Sequence, residues 1–422
     1  MKTTARIGMW KAIAFLTIIS CLFSCSSCDP EVEIKPQVTI GVAENVTDSS
    51  ATLVAYVTPN GEAEVFFSYQ ANNSAWLTTK LVSKFSGNTA IKVSFDLKDL
   101  QPGTNYQFKV ESSNKAGLTI SKISSFATIT LVKAIAIISP ATDVKITTAK
   151  ISALITPNYE STVSFEYQST GSTWKTQILP NSFSGNTAIK VSFDLSDLLA
   201  NTNYNFRVKV NNRAGESVSE TATFETYAVM DADSNYYHTV TIGTQIWLRE
   251  NFKGTHFLNG DPIPNITDQA QWEAATSPAY CYYNNDIKYA ETYGALYNWY
   301  VASDSRGLIS GYHVSTQPEW QIIAVYLGGS NIAGGKLKET GFNHWIQPNG
   351  SATNSSGFTG LPNGARTNYG FSNLGDAGVF WTNTVYPISG MSYSYNLGHS
   401  SGSLNNGGNS YYRGFSLRLI KN

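Results

Sequence analysis

Residues 85–97 read FSGNTAIKVSFDL, and residues 183–195 read the same letters again, 98 positions later. The same offset aligns Pro59-Asn60 with Pro157-Asn158, Trp76 with Trp174, and Tyr106 with Tyr204. It also aligns Asn114-Lys115-Ala116-Gly117 with Asn212-Arg213-Ala214-Gly215. Self-similarity at a fixed period marks a repeated structural unit, here a domain of roughly a hundred residues. Inside the unit, Ile91–Leu97 alternates apolar and polar at period two, the pattern of a half-buried strand. Ala51–Val57 and Ile151–Ile155 alternate or run apolar, and a Thr-Pro-Asn turn follows each. The fold expected for each copy is therefore all-β.

The rest of the chain sets bounds on function. Its 422 residues suffice for several domains, and 42% hydrophobic content lets each bury a core. Only 14% of residues are charged, and Gly, Ser, Thr, Asn and Tyr take their place, which suits strands and polar turns better than long surface helices. The net charge of −1 leaves no basic excess to neutralise phosphates, so nucleic acid is not an expected partner. Of four cysteines, Cys21, Cys25 and Cys28 crowd the N-terminus and Cys281 stands alone, which gives no disulfide framework. The Cys25–Cys28 pair has no second pair to complete a zinc site.

Lys2, Arg6 and Lys11 precede an apolar run from Ala12 to Phe23, too short for a comfortable membrane span and laid out as a signal peptide over residues 1–25. Leu22-Phe23-Ser24-Cys25 resembles a lipobox, so Cys25 is the expected lipidation site, with Cys28 and Cys21 as alternatives. Each buried methylene of an acyl chain adds about 0.8 kcal/mol to anchoring. Asp29, Glu31 and Glu33, in the linker 26–37, resemble the surface-export signal of Bacteroidetes lipoproteins. The implied location is the outer membrane, lipid-anchored and facing the cell surface, with the membrane as one partner.

Leu100-Gln101-Pro102-Gly103-Thr104-Asn105-Tyr106, followed by Phe108 and Val110, resembles the tyrosine-corner stretch of fibronectin type III domains. The second copy, Leu198 to Tyr204, keeps Leu, Thr and Tyr but loses Pro and Gly. The resemblance implies two fibronectin type III-like sandwiches, at 38–130 and 131–228, with Asn-x-Ala-Gly as the hairpin before the last strand. A stalk is the plain role for such repeats, and ligand binding at the sandwich loops is the sharper one.

Residues 229–422 differ, with Trp and Tyr concentrated among Gly, Asn and Ser loops. Asp231 to Trp247 reads as a hairpin, and Asp231-x-Asp233-x-Asn235 as a turn, because Ile242 stands where a calcium loop needs glutamate. Tyr289, Tyr293, Leu296, Tyr297 and Tyr300 share a helical face and predict a helix from Tyr289 to Val301. Thr316-x-x-Glu319 is a capping box that predicts a second helix ending at Gly328-Gly329. Seven ordered stretches carry a family resemblance: Ile242 to Asn251, Tyr293 to Trp299, Gly311 to Trp320, Gly334 to Lys338, Asn354 to Phe358, Gly378 to Thr382, and Gly414 to Arg418. Together they resemble the Fibrobacter succinogenes major paralogous domain. That resemblance implies an exported protein and an α+β C-type lectin-like fold of two helices, a small sheet and long loops.

No cofactor is expected. Gln347, Asn349 and Asn383 are weak calcium candidates, since the resemblance to calcium-dependent lectins lacks the strand acid. Calcium-free sugar binding needs aromatic faces and polar side chains. Trp345, Asn349, Arg366, Tyr369, Tyr386, Tyr393 and Tyr411, in or near polar loops, are the candidates. Trp247, Trp299, Trp320 and Trp381 are expected in the core. No catalytic residue is assigned: Cys281 lies in a strand-like Tyr280–Tyr283 stretch, and no G-x-S-x-G occurs. The expected function is glycan binding or adhesion at the cell surface without catalysis. The alternatives are a structural or protein-interaction component and a polysaccharide hydrolase.

Overall fold

Alternation at period two becomes strand in the computed structural model of the protein, which describes residues 32–422. The signal peptide and Cys21, Cys25 and Cys28 lie outside the described residues. Two compact units divide at residues 131 and 132.

In the first unit, β1 (Gln37–Ile40), β2 (Ala51–Thr58) and β5 (Ile91–Leu97) form one sheet in the order β1-β2-β5. The second sheet has the order β4-β3-β6-β7, from β3 (Glu64–Ala71), β4 (Leu77–Lys80), β6 (Asn105–Asn114) and β7 (Gly117–Ile120). A last strand, β8 (Ser124–Ala127), also pairs with β6. In β5, Val93 and Leu97 are buried while Lys92, Ser94 and Asp96 face solvent. They join Leu53, Val57, Phe67, Phe108 and Val110 in the core between the sheets, each contributing roughly 1.5–3 kcal/mol of burial.

The Tyr106 hydroxyl accepts a hydrogen bond from the Gln101 N–H at 2.9 Å and pins the corner. The second copy repeats the arrangement with β9 (Ile135–Ile138), β10 (Ala149–Thr156) and β13 (Ile189–Leu195) in one sheet. Its other sheet holds β11 (Ser161–Ser169), β12 (Lys175–Ile178), β14 (Asn203–Asn212), β15 (Gly215–Val218) and β16 (Ala222–Glu225). There Tyr204 accepts from the Leu199 N–H at 2.8 Å. The corner survives the loss of Gly103 because Asn201 adopts the same left-handed backbone, φ 49° against 59°.

The hairpin asparagines do more than turn. Asn114 Nδ2 donates to the carbonyls of Ile34 and Pro59, and Asn212 Nδ2 to those of Val132 and Pro157. Each clamps the chain entering its sandwich.

The C-terminal region opens with a small hairpin, β17 (Val229–Met230) and β18 (Tyr236–Tyr237). Asp231 makes its turn by accepting from the N–H groups of Asp233 and Asn235. A four-stranded sheet follows, β19 (Thr239–Ile242), β20 (Gln245–Leu248), then β29 (Leu419–Lys421) and β23 (Tyr312–Val314), so the last strand of the domain lies beside one of its first. A five-stranded sheet has the order β25-β24-β26-β27-β28, from β24 (Asn363–Thr367), β25 (Gly370–Leu374), β26 (Ala377–Val385), β27 (Met391–Gly398) and β28 (Leu404–Ser410). Two large apolar clusters fill the region, one around Phe252, Tyr297, Trp381 and Phe415, the other around Trp247, Trp320, Phe358 and Tyr395, and a smaller third gathers Trp272, Ala279, Cys281 and Leu296.

The helix expected after Thr316 forms as Gln317–Tyr326 with its capping box intact. The helix expected from Tyr289 to Val301 does not. A single turn at Ala290–Tyr293 ends at Gly294 (φ 73°), Leu296–Tyr297 becomes a strand (β22) paired with β21 (Tyr280–Cys281), and a new turn begins at Trp299. A Cβ on Gly294 would sit 2.6 Å from the Phe252 carbonyl oxygen, so this close approach replaces helix propagation. A helix that the pattern did not predict, Ser330–Leu337, carries Gly334 and Gly335. Cβ atoms there would come within 2.2 Å and 2.3 Å of the carbonyl oxygens of Ser403 and Ser351, so the glycines let the helix lie directly on backbone.

Candidate functional site

The sugar-binding candidates separate by burial. Trp345 is 1% exposed and donates its indole N–H to the Gly360 carbonyl at 3.1 Å. Arg366 is equally buried, its guanidinium donating to the Ile266 and Thr267 carbonyls and to Gln269 Oε1 and lying against Trp272 and Phe371. Asn349 is buried with its amide N–H groups on the Glu339 and Gly341 carbonyls. These three are corrections: Gly- and Asn-rich sequence surrounds them, but they hold the loops together from inside. Asn349 Oδ1 is buried, whereas Gln347 and Asn383, the other two calcium candidates, are exposed on separate segments.

Arg366 belongs to a pattern that the motifs did not announce. Arg418 is fully buried and donates to Asn251 Oδ1 and to the carbonyls of Leu248, Arg249, Phe358 and Thr359. Desolvation pulls its affinity for the proton down, and the negative charge of Glu250 opposes the fall. Lys338 is buried likewise. Lys338 and Arg418 end two of the sequence motifs, and with Arg366 they form internal struts, each bound chiefly by backbone carbonyls.

The accessible aromatics are elsewhere. Tyr411 stacks on Trp299 with ring centroids 4.1 Å apart and 16° between planes, and Tyr300 meets Tyr411 edge-on at 5.8 Å. Trp299 is half-buried and packs at the rim of the first apolar cluster rather than inside it. Its position is fixed by Nε1 donating to the Thr382 carbonyl at 3.0 Å and by its backbone N–H on the Tyr411 carbonyl at 2.9 Å. A second pair, Tyr386 and Tyr393, packs at 4.7 Å and 66°. Tyr386 lies on Gly408, where a Cβ would come within 2.5 Å of the ring. The outer strand β28 joins the two groups: Gly408 is the cross-strand partner of Tyr393, and Tyr411 directly follows the strand. That strand reads Leu-Asn-Asn-Gly-Gly-Asn-Ser, with Asn405 and Asn406 exposed. Tyr369 projects alone from the β24–β25 turn at 92% exposure.

The titratable groups are arranged for structure. All five histidines pair with a carboxylate: His238 with Glu250, His256 with Asp233, His313 with Glu319, His344 with Glu339 and His399 with Asp376. Cys281 is buried and desolvation pushes its thiol up to about 11, with Arg366 opposing, so it is no thiolate nucleophile at neutral pH. Two concavities lie at the loop ends of the sandwiches, one of about 890 Å³ beside Asn60, Glu62 and Lys115 and one of about 530 Å³ beside Tyr159 and Arg213.

The strand orders and tyrosine corners make the first two domains sandwiches of the fibronectin type III kind, followed by a loop-rich α+β domain. Residues 240–421 match the family model described as the Fibrobacter succinogenes major domain, and the C-terminal region is such a domain. No curated protein matches the chain in sequence. Among solved structures, it is similar to the sensor domain of the anti-sigma factor RsgI4 in Pseudobacteroides cellulosolvens, at 24% identity over 24% of this chain and 100% of that one, TM-score 0.20. It is also similar to the FN1–FN3 domains of chicken CNTN1, at 17% identity over 46% of this chain and 66% of that one, TM-score 0.19. A two-domain fibronectin type III segment of chicken tenascin matches at 17% identity over 46% of this chain and 98% of that one, TM-score 0.18.

Proposed function

We propose that the C-terminal domain is a carbohydrate-binding module of C-type lectin-like fold, carried by two sandwich spacers on a lipoprotein anchored through Cys25 at the outer surface of the outer membrane. The observation that carries the binding role is the half-exposed Trp299–Tyr411–Tyr300 group beside the Asn- and Gly-rich strand β28. Ring faces stack on the C–H faces of sugars, and amide side chains at their border supply hydrogen bonds to hydroxyls. The paired helices, the sheet closed by β29 and the long loops support the lectin-like reading. The role is non-catalytic, supported by the histidine–carboxylate pairing and the inert Cys281.

Full-length protein on a glycan array tests this. Binding that survives a chelator and falls roughly tenfold or more in Tyr411→Ala is expected. Absence of binding to every glycan would favour a protein-interaction role, which the open edge of β28 could serve by accepting a strand. Turnover of a polysaccharide would favour the hydrolase. Mass spectrometry of the mature N-terminus should find acyl chains on Cys25, and a free unacylated terminus would refute the anchor.

A further inference from the structure

The Lys338 side chain is fully buried, yet among the described residues no carboxylate pairs with it. Its Nζ donates to three backbone carbonyls, Gly350 at 2.8 Å, Gly398 at 2.8 Å and Ser401 at 2.9 Å. An ammonium has three N–H donors and no acceptor, so the cage uses every one. The Trp345 ring, 5.3 Å from Nζ, faces the same charge. Burial pulls the amine down to about 8, while the carbonyls favour the charged form because neutral amine has one donor fewer.

The three acceptors come from two segments far apart in sequence, the turn after Asn349 and the turn joining β27 to β28. Lys338 itself follows directly on the helix Ser330–Leu337. One cation therefore ties a helix end to two loops that have little regular structure of their own. Carbonyl oxygens converging on a buried positive charge are what a bound metal ion requires. Asn349, the nearest reading of an oxygen ligand in the sequence, has its amide N–H groups on the Glu339 and Gly341 carbonyls and adds a second staple to the same loop.

We infer that Lys338 is a tethered cation: its ammonium occupies a three-carbonyl cage and orders the loops at 339–350 and 398–401 in the role a metal ion would play, so that their order does not depend on divalent ions. The cage recognises a primary ammonium by three converging acceptors and by charge together. It would take an untethered primary alkylammonium if the lysine side chain were removed.

Hydrogen exchange and thermal unfolding of the full chain test this. Wild-type protection in 339–350 and 398–401 should be unchanged by a chelator or by added calcium. Lys338→Met should raise exchange there about tenfold or more, leaving the sandwiches unchanged, because buried carbonyls lose their donors. Lys338→Ala should regain protection and melting temperature with n-propylammonium, which restores the missing atoms. Tetramethylammonium, a charge without N–H, and n-propanol, a hydroxyl without charge, should not restore them. If Lys338→Ala is not recovered folded, refolding from urea gives the same comparison: recovery only with n-propylammonium supports the inference, and equal recovery or none with every additive contradicts it. Wild-type exchange in Lys338→Met, or a wild type that loosens in chelator, would also overturn it.

Discussion

His313 and Glu319 show how single side chains set the pH range of the C-terminal domain. The hydrogen bond that His313 donates to the Glu319 carboxylate is the main cause holding the histidine above its ordinary 6.5. Burial pushes Glu319 up, but bonds from His313 and Thr316 outweigh it and hold the carboxyl below 4.5. The histidine contribution is complete below 6.5 and fades as pH rises through the raised value. The glutamate contribution is complete above 4.5 and fades as pH falls through the lowered one. Asp233 and Glu250, also lowered, add to the acid-side loss. Melting temperature should therefore be highest near pH ~5.5 and lower at ~8 and ~3; a Glu319→Gln variant should flatten both flanks. Arg418→Lys should cost about 3 kcal/mol or more in chemical denaturation, because a lysine cannot reach five acceptors in the guanidinium's fan. At this scale the sequence misled in one direction. Trp345 and Arg366 sit among turn-forming residues, and composition alone cannot show that a polar loop is packed around a buried cation. Trp299 sits at the rim of a core cluster, and its stacking on Tyr411, more than a hundred positions away, has no local signal in the sequence.

Among the elements, β5 and its repeat β13 were legible because period-two alternation needs no tertiary knowledge, and the helix Gln317–Tyr326 because its capping box is local. The broken helix at Gly294 and the unforeseen helix Ser330–Leu337 were not, since both depend on backbone approaching backbone from elsewhere in the fold. Those glycines make a prediction whose sign runs against propensity. Alanine within a helix is worth about 1 kcal/mol over glycine, yet Gly334→Ala places a methyl 2.2 Å from the Ser403 carbonyl oxygen, which cannot swing aside. Gly334→Ala should destabilise by about 1–3 kcal/mol. Gly407→Ala, in β28 with nothing within 4 Å of its added methyl, should change stability by no more than about 0.5 kcal/mol. Equal effects at the two positions by urea denaturation would contradict the packing of this helix on backbone.

On the scale of the molecule, the second sandwich and the C-terminal domain share one compact unit, and the joint between them is specific. Arg249 pairs with both carboxylate oxygens of Glu225, at 3.2 Å and 2.7 Å. Asn201 exchanges hydrogen bonds with the backbone of Thr239, and Tyr227 packs on Tyr236 and His238. The Asn201→Ala, Arg249→Ala double variant should raise protease cleavage in 226–238 by roughly five- to thirtyfold, matching the loss of about 1–2 kcal/mol of joint contacts. The repeat and the motifs made this plan readable, whereas the joint was not, because its partners come from separate loops and strand ends without a shared pattern. The central claim is that this assembly presents Trp299 and Tyr411 to carbohydrate. Affinity electrophoresis of the full chain through polysaccharide gels tests it most directly. Retardation by at least one polysaccharide, unchanged by chelator and abolished by Tyr411→Ala, is the predicted result; free migration through every polysaccharide, or retardation that Tyr411→Ala leaves intact, would contradict it.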